Sequence, residues 1–343
     1  MSFSKKRSVI ARVAPSAGAV EFLRTSAKPE TVSRDRPTQI RSARPEEIDQ
    51  ALVLLLTDKN DSPEQIIEKK KSFQQLARRQ QYDLSKQIVA LHHDKLVSAS
   101  LFVPQPGGVA FVLQSPLLNY PPDMPIRDWA LRALQEMCRW AFQEGSRLLQ
   151  AMIEPDDAAR QDLFQAGGFK FLTDLKYMIH DGRIKPPYLP DPKYDWLCYD
   201  RSRHDLFQKI IRETYQGSRD CPELEDLRDI EDVINSHRAA GIFDSHLWKL
   251  LIYQGKPAGV LLLIQLSDPQ AMELTYMGLC PQMRGRRLGA VLIAEALTCT
   301  SQYQRRFLTL AVDRRNHFAC RLYQNFGFEE ILQRTVLIQS APK

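Results

Sequence analysis

Two stretches of this chain repeat each other at a constant spacing of 159 residues. The matched segments are Leu163–Phe169 with Leu322–Phe328, Leu149–Ile153 with Leu308–Val312, and Pro122 with Pro281. One offset, without a gap and with a matched apolar pattern, indicates two copies of one fold. A chain of 343 residues is also long for a single core, so we expect a tandem pair of domains.

A Pro-rich segment at residues 185–192 has the composition of a linker. The expected organisation is therefore a flexible tail at 1–37, a first domain at 38–182, a linker at 183–193 and a second domain at 194–343. The net charge of +6 is concentrated in the tail, because residues 1–36 hold eight Lys/Arg and three Asp/Glu. We therefore expect no nucleic-acid partner, and no apolar run reaches the roughly 20 residues that span a bilayer.

The six cysteines are widely spaced and form no Cys-x-x-Cys pair. This pattern indicates neither a metal site nor a redox pair. Cys138, Cys299 and Cys320 lie in apolar helical patterns and are expected in the core. We expect a protein of the reducing cytoplasm.

The second half reads as alternating helices and strands in the order α-α-β-β-β-α-β-α-β. The predicted helices are Leu206–Tyr215, Asp226–Ala240, Leu288–Thr300 and Asn316–Asn325, and the predicted strands are Leu247–Tyr253, Ala258–Gln265, Ala271–Leu279, Phe307–Val312 and Glu330–Gln339.

A short Arg/Gly loop connects the strand that ends at Leu279 with the helix that begins at Leu288. It is defined as residues 284–289, with the sequence Arg-Gly-Arg-Arg-Leu-Gly. Backbone N–H groups at a helix start carry positive potential, and three arginines lie beside them. The loop therefore predicts a site for a pyrophosphate-like anion.

The loop resembles the acetyl-CoA-binding motif of the GNAT superfamily of N-acyltransferases, Gln/Arg-x-x-Gly-x-Gly/Ala, with Arg287 in place of the first glycine. The order of elements resembles the GNAT fold as well. The resemblance implies an α+β protein of two tandem GNAT-like domains, each a twisted, mostly antiparallel sheet flanked by helices. It implies acetyl-CoA as co-substrate, with no metal. The implied acetyl-CoA-binding residues are Leu279, Arg284, Gly285, Arg286, Arg287, Leu288, Gly289, Ala290 and Asn316.

The same resemblance implies three catalytic groups. The Leu279 amide, freed where Pro281 ends strand pairing, would bind the acyl carbonyl oxygen. Tyr323, in a Leu-Tyr-x-x-x-Gly-Phe ending, would protonate the leaving thiolate. Glu273 lies six residues before Leu279, on the same strand face by period two, and would be the general base. A solvated strand residue is the other interpretation of Glu273, and an N-cap that of Asn316.

The acceptor is expected to be an amine. The segment from Arg219 to Asp232 holds seven acidic residues and two arginines, which favours a cationic acceptor or, alternatively, a solvated helix face. The oligomeric state is not predicted.

The first copy has lost the expected chemistry at the 159-residue offset. Arg284–Gly289 align with Pro125–Ala130, Tyr323 aligns with Phe164, and Glu273 aligns with Gln114. We therefore expect a catalytically silent first domain.

The leading hypothesis is an acetyl-CoA-dependent N-acetyltransferase that works by direct attack in a ternary complex. The alternative is an inactive acyl-CoA-binding regulatory module, which Arg287 in the glycine position favours and Tyr323 opposes.

Overall fold

The computed structural model describes residues 38–57, 61–117, 124–183, 194–224 and 229–342. The tail at 1–37 lies outside these ranges, as do nearly all of the linker, Pro122, and the acidic residues Glu225 and Asp226.

The described chain divides into two compact units. The C-terminal unit runs from Leu172 to Arg334, and the N-terminal unit holds the described residues up to Phe171 together with those from Thr335 onward. The expected ranges of 38–182 and 194–343 follow chain order, whereas these units also exchange their last strands.

The N-terminal unit is a mixed sheet with helices on both faces. Its strands lie in the order β1, β2, β3, β4, β5 and the second half of β12, and only the β4–β5 pair is parallel. The elements are β1 Gln39–Ser42, α1 Ile48–Leu55, α2 Pro63–Gln80, β2 Gln87–His92, β3 Lys95–Gln105, β4 Val109–Gln114, α3 Ile126–Gln143, β5 Leu148–Ile153 and α4 Ala158–Ala166, with β12 at Glu329–Ser340.

The C-terminal unit has the same architecture. Its strands lie in the order β7, β8, β9, β10, β11 and β6, and only the β10–β11 pair is parallel. The elements are β6 Lys170–Asp181, β7 Tyr194–Cys198, α5 His204–Tyr215, α6 Ile230–Ala239, β8 Trp248–Tyr253, β9 Lys256–Gln265, β10 Ala271–Leu279, α7 Leu288–Gln302, β11 Phe307–Asp313 and α8 His317–Asn325. The expected mixed, mostly antiparallel sheets are confirmed.

The predicted bounds of the second half agree with the structure to within two residues, apart from one helix. The helix predicted from Asp226 begins at Ile230 instead. Asp229 is the reason, because it has an extended backbone and its side chain accepts a hydrogen bond from the Glu231 N–H, so it caps the helix.

The last strand of each half joins the other unit. Residues Leu175–Asp181 of β6 pair with β11, and Thr335–Ser340 of β12 pair with β5. Each sheet is therefore completed by a strand that chain order assigns to the other copy.

The repeat is visible in the local backbone geometry. Helix α8 ends at Asn325, Gly327 follows with a φ of 86°, and the Phe328 N–H donates to the Tyr323 carbonyl at 3.0 Å. Helix α4 ends in the same way, since Gly168 has a φ of 96° and the Phe169 N–H donates to the Phe164 carbonyl at 3.0 Å. Glycine takes this left-handed position after a helix without steric cost.

Two apolar layers cover the C-terminal sheet. One packs α7 and α8 against the face that carries Leu261, Leu263 and Leu310, and the other packs α5 and α6 against the face that carries Val260 and Leu262. We call these the α7 face and the α5 face.

Cys138, Cys299 and Cys320 are buried, as predicted, and all six cysteines are free. Among the described residues, no helix is both long and apolar enough to cross a membrane.

His180 of β6 is fully buried and packs against Phe328, with ring centroids 5.1 Å apart. Burial lowers the pKa of His180, so the folded protein holds it neutral while the unfolded chain protonates it in acid. Its contribution to stability is therefore lost as the pH falls through 6.5 and below. We predict that His180→Phe stabilises the protein more at pH 5 than at pH 8, measured by urea unfolding. If the free energies of unfolding of His180→Phe and the unmodified protein differ by the same amount at both pH values, the prediction is wrong.

Candidate active site

Strands β10 and β11 separate partway along their length. Their parallel pairing runs from Ala271 to Leu274, while β10 continues to Leu279 paired with β9 alone. The edge of β10 that faces β11 is therefore left without a strand partner over its last residues. We call this opening the β10–β11 gap.

The Leu279 amide points into this gap. The Cys280 N–H donates to the Ala258 carbonyl on β9 at 2.9 Å. Because successive backbone groups of a strand point in opposite directions, the Leu279 N–H points away from β9 and toward β11. The structure thus gives the amide the direction that an oxyanion donor at this position needs.

Left-handed backbone shapes the Arg/Gly loop. Gly285 has a φ of 76° and Arg287 a φ of 61°, whereas Arg286 is not among the residues with positive φ. This backbone costs a residue with a Cβ atom roughly 1–2 kcal/mol. The glycine that the GNAT pattern places at position 287 therefore serves the turn, and Arg287 makes the same turn under strain.

The N-terminus of α7 lies directly after this turn and is not capped. Arg287, its N-cap residue, makes no capping hydrogen bond with its side chain, and the first turn contains no acidic residue. The first N–H groups of a helix have no partner within it, and the helix dipole adds positive potential there. Leu288 and Gly289 therefore offer amides to an anion, whereas the Ala290 N–H already donates to the Arg287 carbonyl at 3.1 Å.

The three loop arginines differ in what they contact. Arg284 donates to the carbonyls of Leu279 at 3.1 Å, Gly217 at 3.1 Å and Thr214 at 3.0 Å. It therefore ties the loop to β10 and to the end of α5. Arg286 and Arg287 are exposed, and within the described part of the chain they form no ion pair. These two side chains remain available to an anion.

Gly289 and Asn316 have structural roles that the sequence leaves open. A Cβ atom at Gly289 would lie 3.1 Å from Cδ2 of Leu322, so the glycine lets α7 pack closely on α8. Asn316 is the N-cap of α8, and its side chain accepts a hydrogen bond from the Ala319 N–H at 3.2 Å.

Tyr323 lies in the core with α7 and α8 and is only 6% exposed. Its ring packs against Phe328 at 5.6 Å. Burial, with a smaller contribution from the charge of Asp220, raises the pKa of Tyr323 above its usual range. The phenol therefore stays protonated, as a proton donor must.

Glu273 does not share a face with Leu279, and this part of the prediction is wrong. A β-bulge between Leu274 and Tyr276 shifts the register of β10 against β9. The extra residue moves the later side chains to the other face. Glu273 pairs with Ile264 and lies on the α5 face, while Leu279 pairs with Gly259 and packs with the α7 face.

The Glu273 carboxyl is suited to a base. Burial raises the pKa of Glu273 to about 7. A general base works best when its pKa lies near the working pH. Tyr177 of β6, which no sequence motif marks, lies on the same face. Its pKa is raised to about 12, first by burial and then by the charge of Glu273.

The acidic segment is largely occupied by structural contacts. Glu223 accepts two hydrogen bonds from the Arg315 guanidinium at 2.6 and 2.9 Å. Arg315 also pairs with Asp313, which is fully buried, and the Asp313 N–H donates to Asp220 at 2.9 Å. This network holds the loop after α5 against the end of β11. Sequence reasoning missed Asp313 and Arg315, because their partners lie about ninety positions away.

Cys280 lies beside the gap but is fully buried. Burial raises the pKa of the Cys280 thiol to about 11. Since the thiolate is the nucleophilic form, Cys280 is poorly suited to attack a thioester.

The N-terminal unit differs where the site would be. Helix α3 has 18 residues and α7 has 15, and both end at positions 159 apart, so an extra helical turn in α3 takes the place of the loop. The parallel pairing places Phe111, not Gln114, at the equivalent of Glu273, because Phe111 faces Gln150 as Glu273 faces Thr309. The ungapped alignment with Gln114 is therefore wrong, but neither residue is a carboxylate.

The strain at Arg287 gives a stability prediction. Arg287→Gly is expected to raise the free energy of unfolding by about 0.5–1 kcal/mol, since glycine takes the left-handed backbone without steric cost. Arg286→Gly is the matched control, because it removes the same charge at a position without positive φ. It should lower the free energy of unfolding by a similar amount. Urea unfolding measures both, and equal shifts would show that the turn carries no strain.

Residues 205–328 match the family model of the acetyltransferase (GNAT) family. A GCN5-related N-acetyltransferase from Sphaerobacter thermophilus is 14% identical over 88% of this chain and 95% of its own, with a TM-score of 0.61. A GCN5-related glucosamine N-acetyltransferase region of a fungal multi-domain GH3 β-N-acetylglucosaminidase is 13% identical over 89% of this chain and 38% of its own, with a TM-score of 0.56.

A tandem GNAT protein from the clavulanic acid biosynthesis pathway is 14% identical over 90% of this chain and 100% of its own, with a TM-score of 0.47. No curated protein matches the chain. The structures with TM-scores of 0.61 and 0.56 show the fold, and the match at 205–328 assigns that segment to the GNAT family. The chain therefore contains a GNAT-family domain at residues 205–328, within its C-terminal unit.

Proposed function

We propose that the protein transfers an acetyl group from acetyl-CoA to a primary amine, by direct attack in a ternary complex. The observation that carries this proposal is the β10–β11 gap, where the end of β10 has no strand partner on the side of β11. Glu273 lies in the last paired stretch of β10, and the uncapped start of α7 follows β10 in the chain. An anion site, an unpaired backbone amide and a carboxyl group of pKa about 7 are what acetyl transfer to an amine requires.

The donor would be held at the Arg/Gly loop. The amides of Leu288 and Gly289 and the side chains of Arg286 and Arg287 would contact its pyrophosphate. The Arg284 side chain supports the loop instead, since its guanidinium already donates to three carbonyls. Within the described ranges, no group of three or more His, Cys, Asp or Glu side chains could bind a metal.

The transfer would then follow from three groups of the chain. Glu273 takes a proton from the acceptor ammonium, and the neutral amine attacks the thioester carbonyl carbon. The Leu279 N–H stabilises the negative charge that develops on the carbonyl oxygen. As the C–S bond breaks, Tyr323 gives its proton to the sulfur. The products are the acetylated amine and CoA.

An acyl-CoA-binding module without turnover is the second candidate. The burial of Tyr323 favours it, because a phenol that is 6% exposed in the core has limited access to a leaving group. The two functions differ in one measurement, since a binding module takes up acetyl-CoA but releases no CoA when amines are added.

We further propose that the protein works in the cytoplasm, which its six free cysteines support. Among the described acidic residues, Glu223 is committed to Arg315. Glu223 therefore does not support the proposal of a cationic acceptor. The support comes from Glu273, whose carboxylate would attract a cationic amine.

Calorimetric titration with acetyl-CoA tests the donor site. We expect one site per chain with a Kd on the order of micromolar. The double variant Arg286→Ala/Arg287→Ala should weaken binding roughly ten- to hundredfold, because two charge-assisted contacts are lost. Arg201→Ala removes an exposed charge outside the site and serves as the control. Absence of binding by the unmodified protein would refute the proposed function.

The pKa of Glu273 predicts the pH profile. Because the base must be deprotonated, kcat/KM should fall about tenfold per pH unit below the Glu273 pKa of about 7. Glu273→Gln should lower kcat by roughly 10²- to 10⁴-fold and remove this limb of the profile. The release of CoA, detected with a thiol reagent between pH 5.5 and 9, measures the pH profile and the kcat of the variant. A variant that keeps the same limb would exclude Glu273 as the base.

A further inference from the structure

Strand β6, which the first half of the chain supplies, places Tyr177 on the same face as Glu273. Glu273 pairs with Thr309 of β11, and Ala311, two residues further along, pairs with Tyr177. The residues of β11 that alternate with Thr309 and Ala311 pack in the α7 core. Glu273, Ala311 and Tyr177 therefore all point to the α5 face.

A small residue lies between the two polar side chains. Neighbouring strands lie about 4.8 Å apart, and Tyr177 is level with Ala311, two residues beyond the level of Glu273. The backbones of Glu273 and Tyr177, on either side of β11, are therefore roughly 12 Å apart. Ala311, between them, carries only a methyl group. The three residues are half-buried, and burial is the main cause of the raised pKa of Glu273 and of Tyr177. Side chains that are largely removed from water but still partly exposed are typical of a narrow recess. We call the place lined by Glu273, Ala311 and Tyr177 the Ala311 recess.

The N-terminal unit provides an internal comparison. Its strand registers place Phe111 where the C-terminal unit has Glu273, Met152 where it has Ala311, and Val336 where it has Tyr177. All three are apolar, and Met152 fills the position that alanine leaves open. The recess and both of its polar groups are therefore particular to the C-terminal unit.

We propose that Tyr177 is an acceptor-binding residue, which together with Glu273 holds a primary amine over Ala311. This inference rests on the proposed function, and it assigns the residue that completes the acceptor site. The Tyr177 phenol oxygen accepts a hydrogen bond from the amine N–H, while the Glu273 carboxylate attracts the ammonium charge. Ala311 leaves room for the carbon chain that carries the amine. The first half of the chain thus contributes to the site through β6.

A labelling experiment tests the recess without turnover. Ala311→Cys is treated with cationic 2-aminoethyl methanethiosulfonate and with neutral methyl methanethiosulfonate, and the two rates are measured by mass spectrometry. We expect the cationic reagent to react at least about tenfold faster relative to the neutral one. Adding Glu273→Gln should remove this preference, and adding Tyr177→Phe should reduce it.

Two controls make the labelling result specific. Ala294→Cys places a thiol at a half-buried alanine of α7, where no preference is expected. The unmodified protein gives the background from Cys198 and Cys221, which are partly exposed. The ratio of the two reagents on one thiol does not depend on its thiolate fraction. Equal ratios at positions 311 and 294, or no labelling at position 311, would overturn the inference.

A kinetic experiment connects the recess to the reaction. With putrescine and 2-phenylethylamine as acceptor probes, Tyr177→Phe and Ala311→Met should each raise the KM for the amine about five- to tenfold, as expected for one lost hydrogen bond or a filled recess. The Kd for acetyl-CoA should stay within about twofold. Tyr253→Phe, the same change on β8, is the control.

The outcomes separate the two proposals. An unchanged KM in both variants, with acetyl-CoA binding intact, would overturn the role of Tyr177 and leave the proposed function standing. Absence of acetyl-CoA binding by the unmodified protein would refute the proposed function, and the labelling ratios would still decide whether the recess binds amines. If Ala311→Met does not fold, Tyr177→Phe, which removes a single oxygen, carries the test. If neither probe is acetylated, labelling alone decides.

Discussion

The separation of β10 from β11 after Leu274 is the constraint on which the site depends. The bulge before Tyr276 turns that side chain to the α5 face, where its hydroxyl lies 2.8 Å from Thr214 Oγ1. Gly278 follows, and a Cβ atom there would lie 2.7 Å from Cβ of Thr214. Helix α5 can therefore approach β10 only because residue 278 has no side chain. The close contact holds β10 against α5 over the stretch in which β10 has no pairing with β11.

Charge is divided between support and binding around this gap. The Arg284 guanidinium donates to three backbone carbonyls, and the Asp313 carboxylate accepts hydrogen bonds from the protein on both of its oxygens. A buried carboxylate such as Asp313 is costly unless it is paired, and Arg315 supplies the pair. Arg286 and Arg287 lie only a few residues away on the exposed turn. Arg284 and Asp313 thus hold the loops around the gap in place, whereas Arg286 and Arg287 remain available to a ligand.

The sequence predicts the elements well and the site only in part. Helices and strands of the second half follow from apolar periodicity, and Asn316 and Gly327 mark the two ends of α8. The face of Glu273 could not be predicted, since period-two counting fails across a bulge that has no sequence signal here. The contribution of Tyr177 is also hidden, because it depends on pairing with Ala311, 134 positions later. Local sequence patterns predict where helices and strands lie, whereas the positions of the site's side chains depend on strand pairing between distant parts of the chain.

The exchange of last strands has a consequence for biosynthesis. The segment up to Phe171 leaves the ribosome before residues 335–340 exist, and these residues pair with β5. Until residues 335–340 are synthesised, β5 presents unpaired N–H and C=O groups on that side, which is the condition that favours pairing with other chains. The two copies are therefore not independent modules that could be cut apart between them. A gene split at the linker would give two incomplete sheets, each lacking the strand that the other fragment carries.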